Sequence, residues 1–573
     1  MATSADTLSN TPPQKMEVDT ELSLSKEGDE QQSFNSVTST NEVNPEADEN
    51  TPAPLFYKPP TRQFVLIILA LSLNVFLASL DQIIVSTSIP AITREFQTLG
   101  DISWLGTAYM MTATATQPLY GKFSDIFGRK TTMLFANVMF LIGSAICGWA
   151  NSMTVLIVGR GIAGIGAGGL MAMVFIIMSD MLDMRERGKY IGFVGVVYSL
   201  ASVIGPVLGG AFSDNLTWRW SFWINLPVGA VSIIFIAIFL NLPTPKGSLS
   251  DKIKRIDILG SVILMGSVIM ILLPLSWGGS KHPWDSAMII GLLVGGILAT
   301  IAFVLVEWKV PKEPTVPIHL FKIRNLWATY SSLFFSGMAF FGILFYLPIY
   351  FQVVKDESAT IGGFETIPMV MGITITATSS GIWVLKRGTY AFFPPVGNFL
   401  FTVAAGLCVL FTQDTKRVVT VFVLLLCGVG VGCTVQTSTL AVQAAAKPKY
   451  MATVTVLVQF IRILGQVFGI AIVGTIFNNK LESSLRAKFP SDQHILKVAQ
   501  DYTLIANYGE LERKWIYDSF VVALHNSFYC SVACSALAFV LSCFVQHKEL
   551  KTNETHEKYQ QEAKKAEQKE EIV

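Results

Sequence analysis

Stretches of about 20 predominantly apolar residues, the length that crosses the hydrocarbon core of a bilayer, recur along almost the whole of this 573-residue chain. Fourteen such segments stand out, at 63–87, 103–120, 131–150, 154–176, 189–212, 220–240, 258–277, 287–307, 327–351, 364–385, 389–411, 418–442, 452–477 and 519–545. This repetition constrains the fold more than any motif does. The chain is 51% hydrophobic and 14% charged, with a mean hydropathy of +0.50, whereas soluble domains carry about 25% charged residues. That much apolar surface does not fit one aqueous core, so lipid must supply the missing solvent. The expectation is an all-α integral membrane protein with fourteen transmembrane helices.

Lys and Arg in the short connections set the orientation, because cytoplasmic loops retain an excess of both. Counting from a cytoplasmic N-terminus, eighteen fall in the inside loops and six in the outside ones. Both tails are therefore expected in the cytoplasm, with one long outside loop at 478–518. The first tail, 1–60, is polar and acidic and has no apolar run of a signal peptide. It and the Glu- and Lys-rich tail at 548–573 bury too little surface to offset their ordering entropy.

Composition excludes several classes of function. A net charge of +1 offers nothing to a nucleic acid. The seven cysteines, Cys147, Cys408, Cys427, Cys433, Cys530, Cys534 and Cys543, lie in apolar segments without metal-ligand spacing and read as small buried hydrophobes. No phosphate-binding GxxxxGK[ST] is present. Gly164, Gly166 and Gly169 spell GxGxxG, but that fingerprint needs a preceding strand, and here it lies mid-membrane, where small residues serve close helix packing. No metal, cofactor or nucleophile–base set is expected.

Ionisable residues inside apolar segments are functional candidates, because a charge in hydrocarbon is costly. Asp81 sits about two-thirds along the first segment, before Pro90, and is the candidate for taking and releasing a proton. Arg160, in the fourth, is a fixed cation placed to pair with a carboxylate. The second-to-third connection reads Gly121-Lys-Phe-Ser-Asp125-Ile-Phe-Gly128-Arg129-Lys130. In it Asp125 can meet the positive cluster or a helix N-terminus across the bundle, as a charged latch. The fifth segment contains Gly205-Pro206-Val-Leu-Gly209-Gly210, where proline removes a backbone donor and glycine permits bending or close contact. Gln117, Asn398 and Gln436 are uncharged polar residues on apolar segments, each equally suited to bonding a neighbouring helix or a substrate; Arg462, about ten residues inside its segment, and His525, near the outer end of the last, are further candidates to line a cavity. Asn215-Leu-Thr217 fits a glycosylation acceptor in an outside loop.

The Gly121–Lys130 loop resembles the signature loop of the major facilitator superfamily. Gly205–Gly210 resembles the signature of that superfamily's proton-coupled antiporters. Trp218-Arg219-Trp220-Ser-Phe-Trp-Ile-Asn225-Leu-Pro227-Val-Gly229 resembles a segment of its fourteen-helix drug:H+ antiporter branch. Tyr346-Leu-Pro348-Ile-Tyr350-Phe-Gln352, Pro368-Met-Val-Met-Gly372, Met451-Ala-Thr-Val-Thr and Phe460-Ile-Arg462-Ile-Leu-Gly465 look like fungal members of that branch. Lys386-Arg387-Gly388 is a weak echo of the first-half loop.

The resemblance implies a two-bundle fold arranged 6 + 2 + 6. A six-helix bundle would span 61–243, a linker with two additional helices 244–325, and a second six-helix bundle 326–547. It implies a monomeric, proton-coupled exporter of drug-like or toxic organic compounds in the plasma membrane, working by alternating access without a cofactor. Alternatives within the family are a vacuolar amino-acid importer or a siderophore carrier, in a vacuolar or endoplasmic reticulum membrane. A non-transporting receptor or scaffold is the alternative outside it.

Overall fold

The computed structural model describes residues 60–96, 103–242, 245, 247–278, 282–310, 313–357, 359–489, 495, 505 and 508–550. Most of both expected tails lies outside them.

Among the described residues the chain forms long helices joined by short connections. The first group is α1 (Thr61–Phe96), α2 (Ser103–Phe127), α3 (Arg129–Gly148), α4 (Met153–Met181), α5 (Met184–Asn215), the single turn α6 (Trp220–Trp223) and α7 (Asn225–Phe239). A short α8 (Leu249–Lys254) leads into α9 (Ile258–Trp277) and α10 (Ala287–Lys309). The second group is α11 (Arg324–Ile349), α12 (Ala359–Glu365), α13 (Ile367–Arg387), α14 (Phe393–Cys408), α15 (Arg417–Ala445), α16 (Met451–Lys488) and α17 (Glu510–Ser542). Pro348 lies at the end of α11, and the chain continues as a π turn over Tyr350–Val354. There the usual backbone ladder gives way, as is common where proline removes a donor.

Eleven of the described helices are long and apolar enough to cross a membrane. The expected segments 103–120, 189–212 and 389–411 are helical too, on α2, α5 and α14, but are not among the eleven. The expected outside loop at 478–518 is corrected at both ends, since α16 runs on to Lys488 and α17 already starts at Glu510. Beyond Phe477 the apolar run stops but the helix does not. Leu481 and Leu485 stay buried on one face, Glu482 pairs with Arg486 one turn on at 2.6 Å, and Lys488 Nζ donates to the Trp515 carbonyl of α17 at 2.9 Å. Hydropathy marks the lipid-embedded part of a helix, not its end.

Packing follows side-chain size. In the first group α4 is central, against α2 and α3, and 72% of its apolar window is buried. A Cβ at Gly164 or Gly168 would overlap the α2 backbone at Tyr109 and Ala113, and one at Gly166 the α3 backbone at Phe140. These glycines therefore bring three helices within backbone contact. Gly128, between α2 and α3, has φ 92°, a conformation that favours glycine. In the second group α11 packs on α16 and α17, and α15 on α13 and α14. Around α11, α14, α16 and α17 lies a core holding Ile343, Phe401, Phe477, Phe520 and Phe528. The α9–α10 hairpin leans on α2 and α16 through α9. Only 17% of the α10 window is buried, and Ile290, Val294, Ile297, Leu298 and Ile301 are exposed, as lipid-facing side chains are.

Candidate functional site

Asp81 lies on α1 and Arg160 on α4, 79 residues apart in sequence, and the fold brings them into contact. Arg160 Nη1 donates to Asp81 Oδ2 at 2.5 Å. Asn225 Nδ2, from the first turn of α7, donates to Asp81 Oδ1 at 2.9 Å and lies 3.1 Å from Ser144 Oγ of α3. Arg160 Nε donates to the Leu105 carbonyl of α2 at 2.9 Å. Its guanidinium carbon sits 4.1 Å from the centre of the Tyr109 ring, whose hydroxyl donates to the Ala78 carbonyl at 3.1 Å. Asp81 is 0% and Arg160 1% exposed. Leu80, Ile84, Leu105, Cys147, Leu156 and Phe222 close the surroundings. The carboxylate is therefore not the isolated group that the sequence suggested. It is one end of a dry ion pair whose remaining valences are hydrogen-bonded across five helices. In such a pair the removal of one partner costs about 3–5 kcal/mol, because the other is left buried and charged.

The antiporter-type motif lies next to this pair. Gly205 lets α5 cross α1 closely at Ile83, two residues past Asp81, and a Cβ there would stand 3.0 Å from Ile83 Cγ2. Gly209 is buried, and nothing lies within 4 Å of a Cβ at Gly210. Pro206 occupies the interior of α5.

At the other end of α2, Asp125 does not reach across the bundle. Its Oδ1 pairs with Arg129 Nη1, four residues on, at 2.6 Å. Arg129 Nε then pairs with Asp180 Oδ2 at the end of α4, also at 2.6 Å. Lys130 Nζ donates to Asn241 Oδ1 at 3.2 Å. Asp125 thus meets the positive cluster of its own loop: α2 ends at Phe127 and the chain turns at Gly128, which sets Arg129, at the start of α3, against both the Asp125 carboxylate and the end of α4. Lys122 Nζ instead reaches Glu313 at 2.7 Å, beyond the inserted hairpin, where Arg255 also binds at 2.9 Å. Burial acts to raise the Glu313 carboxyl, but hydrogen bonds from Arg255 and Lys122 outweigh it and hold it below the usual carboxylate range.

Contact between the two groups of helices is made at this same end by Arg187, a residue that sequence reading treats only as a loop charge. It is fully buried. Nε donates to the Leu182 carbonyl at 2.9 Å, Nη2 to the Ser179 carbonyl, and Nη1 to Gln443 Oε1 of α15 at 2.8 Å. Gln443 Nε2 donates in turn to Thr455 of α16 at 2.9 Å. Gly121 approaches Thr453 nearby, and Gly192 approaches Thr378 of α13. Deeper in the bundle, Arg462 of α16 donates to Gln459 one turn earlier and lies within electrostatic reach of Tyr198 on α5. Tyr198 is 42% exposed although it stands between the two groups.

The other candidates do not join one site. Asn398 Nδ2 donates to Ser332 Oγ at 3.1 Å, and Ser332 to the Ala538 carbonyl at 2.9 Å, so Asn398 ties α14 to α11 and α17. His525 Nε2 meets the Phe411 carbonyl at 2.7 Å. Gln117 Oε1 and Gln436 Nε2 are buried without a hydrogen-bond partner among the described residues. Asn215, at the exposed end of α5, donates to the Ala211 carbonyl at 3.1 Å. Asn225 and Tyr109 were not read as site residues. The signal for Asn225 was an amide inside an apolar run; for Tyr109 there was none.

Comparison with known proteins identifies the family. The family model described as the Major Facilitator Superfamily matches residues 71–470. The MFS-type efflux pump MFS1 of Arthroderma benhamiae is 36% identical over 496 residues, 85% of this chain and 92% of that protein. The efflux pump FUS6 of Gibberella fujikuroi is 39% identical over 422 residues, 73% and 76% of the two chains. The aspyridones efflux protein of Neocamarosporium betae is 36% identical over 438 residues, 76% and 78%. Among solved structures, the human organic anion transporter MFSD10 superposes with a TM-score of 0.53 at 15% identity, covering 85% of this chain and all of that one. The proton:xylose symporter XylE reaches 0.53 at 13% identity, covering 87% and 99%. An all-helical chain with these two packed helix groups, that loop and these relatives is a membrane transporter rather than an enzyme, and it belongs to the Major Facilitator Superfamily.

Proposed function

We propose that this transporter exports drug-like or toxic organic compounds in exchange for protons. In this reading it works as a monomer in the plasma membrane, with fourteen spans arranged 6 + 2 + 6 and the Gly121–Lys130 loop in the cytoplasm. The observation that carries the coupling is the sealed Asp81–Arg160–Asn225 network. Ionisable residues in hydrocarbon are costly and mark ion or proton pathways, and a sealed charge pair on the moving helices supports that role here. Export itself rests on the pumps to which the chain is similar.

Protonation of Asp81 removes the negative end of the pair and leaves Arg160 without its counter-charge. The strands of the network on α1, α2, α4 and α7 then exchange partners. Because α5 crosses α1 two residues away, at Gly205, and meets α13 at Gly192, rearrangement of α1 is passed to the contact between the halves. The substrate path runs between α5 and α16, past Tyr198 and Arg462. Alternating access then consists of making and breaking the contacts of Arg187 and Gly121 with the second half, driven by whichever state the proton favours.

The test is dye efflux from proteoliposomes under an imposed pH gradient. Asp81→Asn keeps an acceptor and a donor at the site but takes up no proton. It is expected to insert normally and to lose gradient-driven efflux while retaining substrate binding. Undiminished gradient-driven efflux by this variant would show that the proton travels elsewhere. Absence of efflux by the wild-type protein across a panel of organic compounds would remove the export reading.

A further inference from the structure

The inserted hairpin holds a second pair of buried ionisable groups, this time of like charge. Asp257 caps α9, its Oδ1 accepting from the Gly260 N–H at 2.9 Å. Glu307 lies in the last turn of α10. Its Oε1 accepts from the backbone N–H groups of Thr315 at 3.2 Å and Val316 at 3.3 Å, pinning the segment that leaves the hairpin. The two carboxyl groups stand within hydrogen-bonding reach of each other. Each has an oxygen left over, Asp257 Oδ2 and Glu307 Oε2, buried and without a donor among the described residues, on side chains 8% and 4% exposed.

The neighbouring charges do not fill that gap. Arg255 and, from α2, Lys122 are taken up by Glu313. On α8 and α10, Lys254 and Lys309 are exposed, as are His319, Lys322 and Lys449 on the adjoining turns; His319 stacks on Tyr450 at 5.1 Å. From α16, Arg462 turns to Gln459. Two ionised carboxylates at this range, away from water, repel each other. One proton between them converts the repulsion into a hydrogen bond and satisfies both leftover oxygens, one as donor and one as acceptor.

We propose that Asp257 and Glu307 bind a single proton between them, and that this proton holds the inserted hairpin and its exit segment closed. Through Glu313 in that segment the site also steadies Lys122 in the Gly121–Lys130 loop. Loss of the proton drives the carboxylates apart, frees the Thr315 and Val316 amides and slackens the Lys122–Glu313–Arg255 cluster. The pair is thus a proton site separate from Asp81, sensing pH at the face of the membrane where the loop lies. It stands whatever compound the transporter carries.

The test uses the full chain in proteoliposomes and no substrate. Thr315, 1% exposed, is replaced in Thr315→Cys, and its reaction with a membrane-impermeant maleimide is followed by mass spectrometry across a pH series. The exposed Cys543 serves as internal reference for thiol reactivity. Relative to Cys543, residue 315 should become severalfold more reactive as the pair loses its proton and the exit segment opens. Adding Glu307→Gln supplies a permanent donor to Asp257 in the same shape and should keep residue 315 protected throughout; Asp257→Asn should do the same. An infrared carbonyl band of a protonated carboxyl, present in the wild type and absent from Glu307→Gln, identifies the proton directly. An identical pH response in wild-type and Glu307→Gln backgrounds, or no such band, overturns the proposal.

Discussion

The connection after α2 and the connection after α13 both turn the chain between membrane helices, yet they are built in opposite ways. The first binds its cations with acids, Asp125 and Asp180 to Arg129 and Glu313 to Lys122. The second ends α13 with Lys386 and Arg387 and turns at Gly388, with φ 71°. Arg387 lies over the Trp383 ring at 5.3 Å, and neither cation pairs with a carboxylate among the described residues. The interiors repeat the contrast. The first half encloses the Asp81–Arg160 pair. In the second the interior carries neutral bonds, Asn398 to Ser332 and Ser332 to a carbonyl, beside an aromatic core, and its buried carboxylate, Glu365, pairs with Arg417 at the exposed start of α15 rather than with a buried cation. Arg462, on α16, bonds Gln459 and lies within electrostatic reach of Tyr198 on α5. A buried charge pair is costly to assemble and costly to break, whereas a neutral hydrogen bond contributes about 1 kcal/mol either way. If the proposed coupling holds, the charge pair makes the first half the switch, and the second half the surface against which it moves.

The largest effect that would break this comparison comes from Arg160→Leu. It strands Asp81 and is expected to lower the stability of the purified protein by about 3–5 kcal/mol, read as a fall in the detergent unfolding midpoint. Combination with Asp81→Leu should return most of that loss without returning gradient-driven efflux. A milder result for Arg160→Leu than for Asn398→Ala would reverse the assignment of the two halves.

Arg187→Ala comes next. It leaves Gln443 buried without its donor and removes a charged hydrogen bond between the halves, worth about 1.5–3 kcal/mol. The protein should shift toward the state open at the loop end, seen as faster labelling of a cysteine placed at Thr453. Unchanged labelling would mean that the halves are held there by packing alone.

Asp125→Asn is expected to be smaller. Arg129 keeps Asp180, so folding and insertion should survive while the rate of transport falls several-fold through a changed balance of states. A normal rate would reduce the loop to a signal for orientation. The smallest effect belongs to Arg387→Ala, which removes only a surface cation–π contact worth about 0.5–1 kcal/mol. Efflux and unfolding should stay near wild type, and an effect as large as that of Asp125→Asn would show that the two loops are equal partners.

Legibility from sequence divides along a physical line. Asp81 and Arg160 could be singled out because a charge among apolar residues is costly wherever it ends up. That the two meet could not, because α1 and α4 are far apart in the chain and are set side by side only by the packing of the bundle around them. Asn225 was visible as an amide in an apolar run but gained a role only when α7 placed it against Asp81. Arg187 gave no signal at all: in the chain it is a basic residue in a basic loop, and its burial is decided by α15 and α16 closing over it. Helix ends were misread where, as in α16, a charged amphipathic stretch prolongs an apolar one.

By itself the sequence determined that this chain is rich in membrane-length apolar helices, roughly where eleven of them lie, and which connections carry the excess of basic residues. These properties depend on composition summed over short windows, which no distant contact can alter. Only the tertiary structure decided which ionisable groups face each other, that Asp125 binds within its own half, and that Asp257 and Glu307 share a buried corner of the inserted hairpin. Those outcomes depend on distances between helices far apart in the chain, and such distances are set by packing.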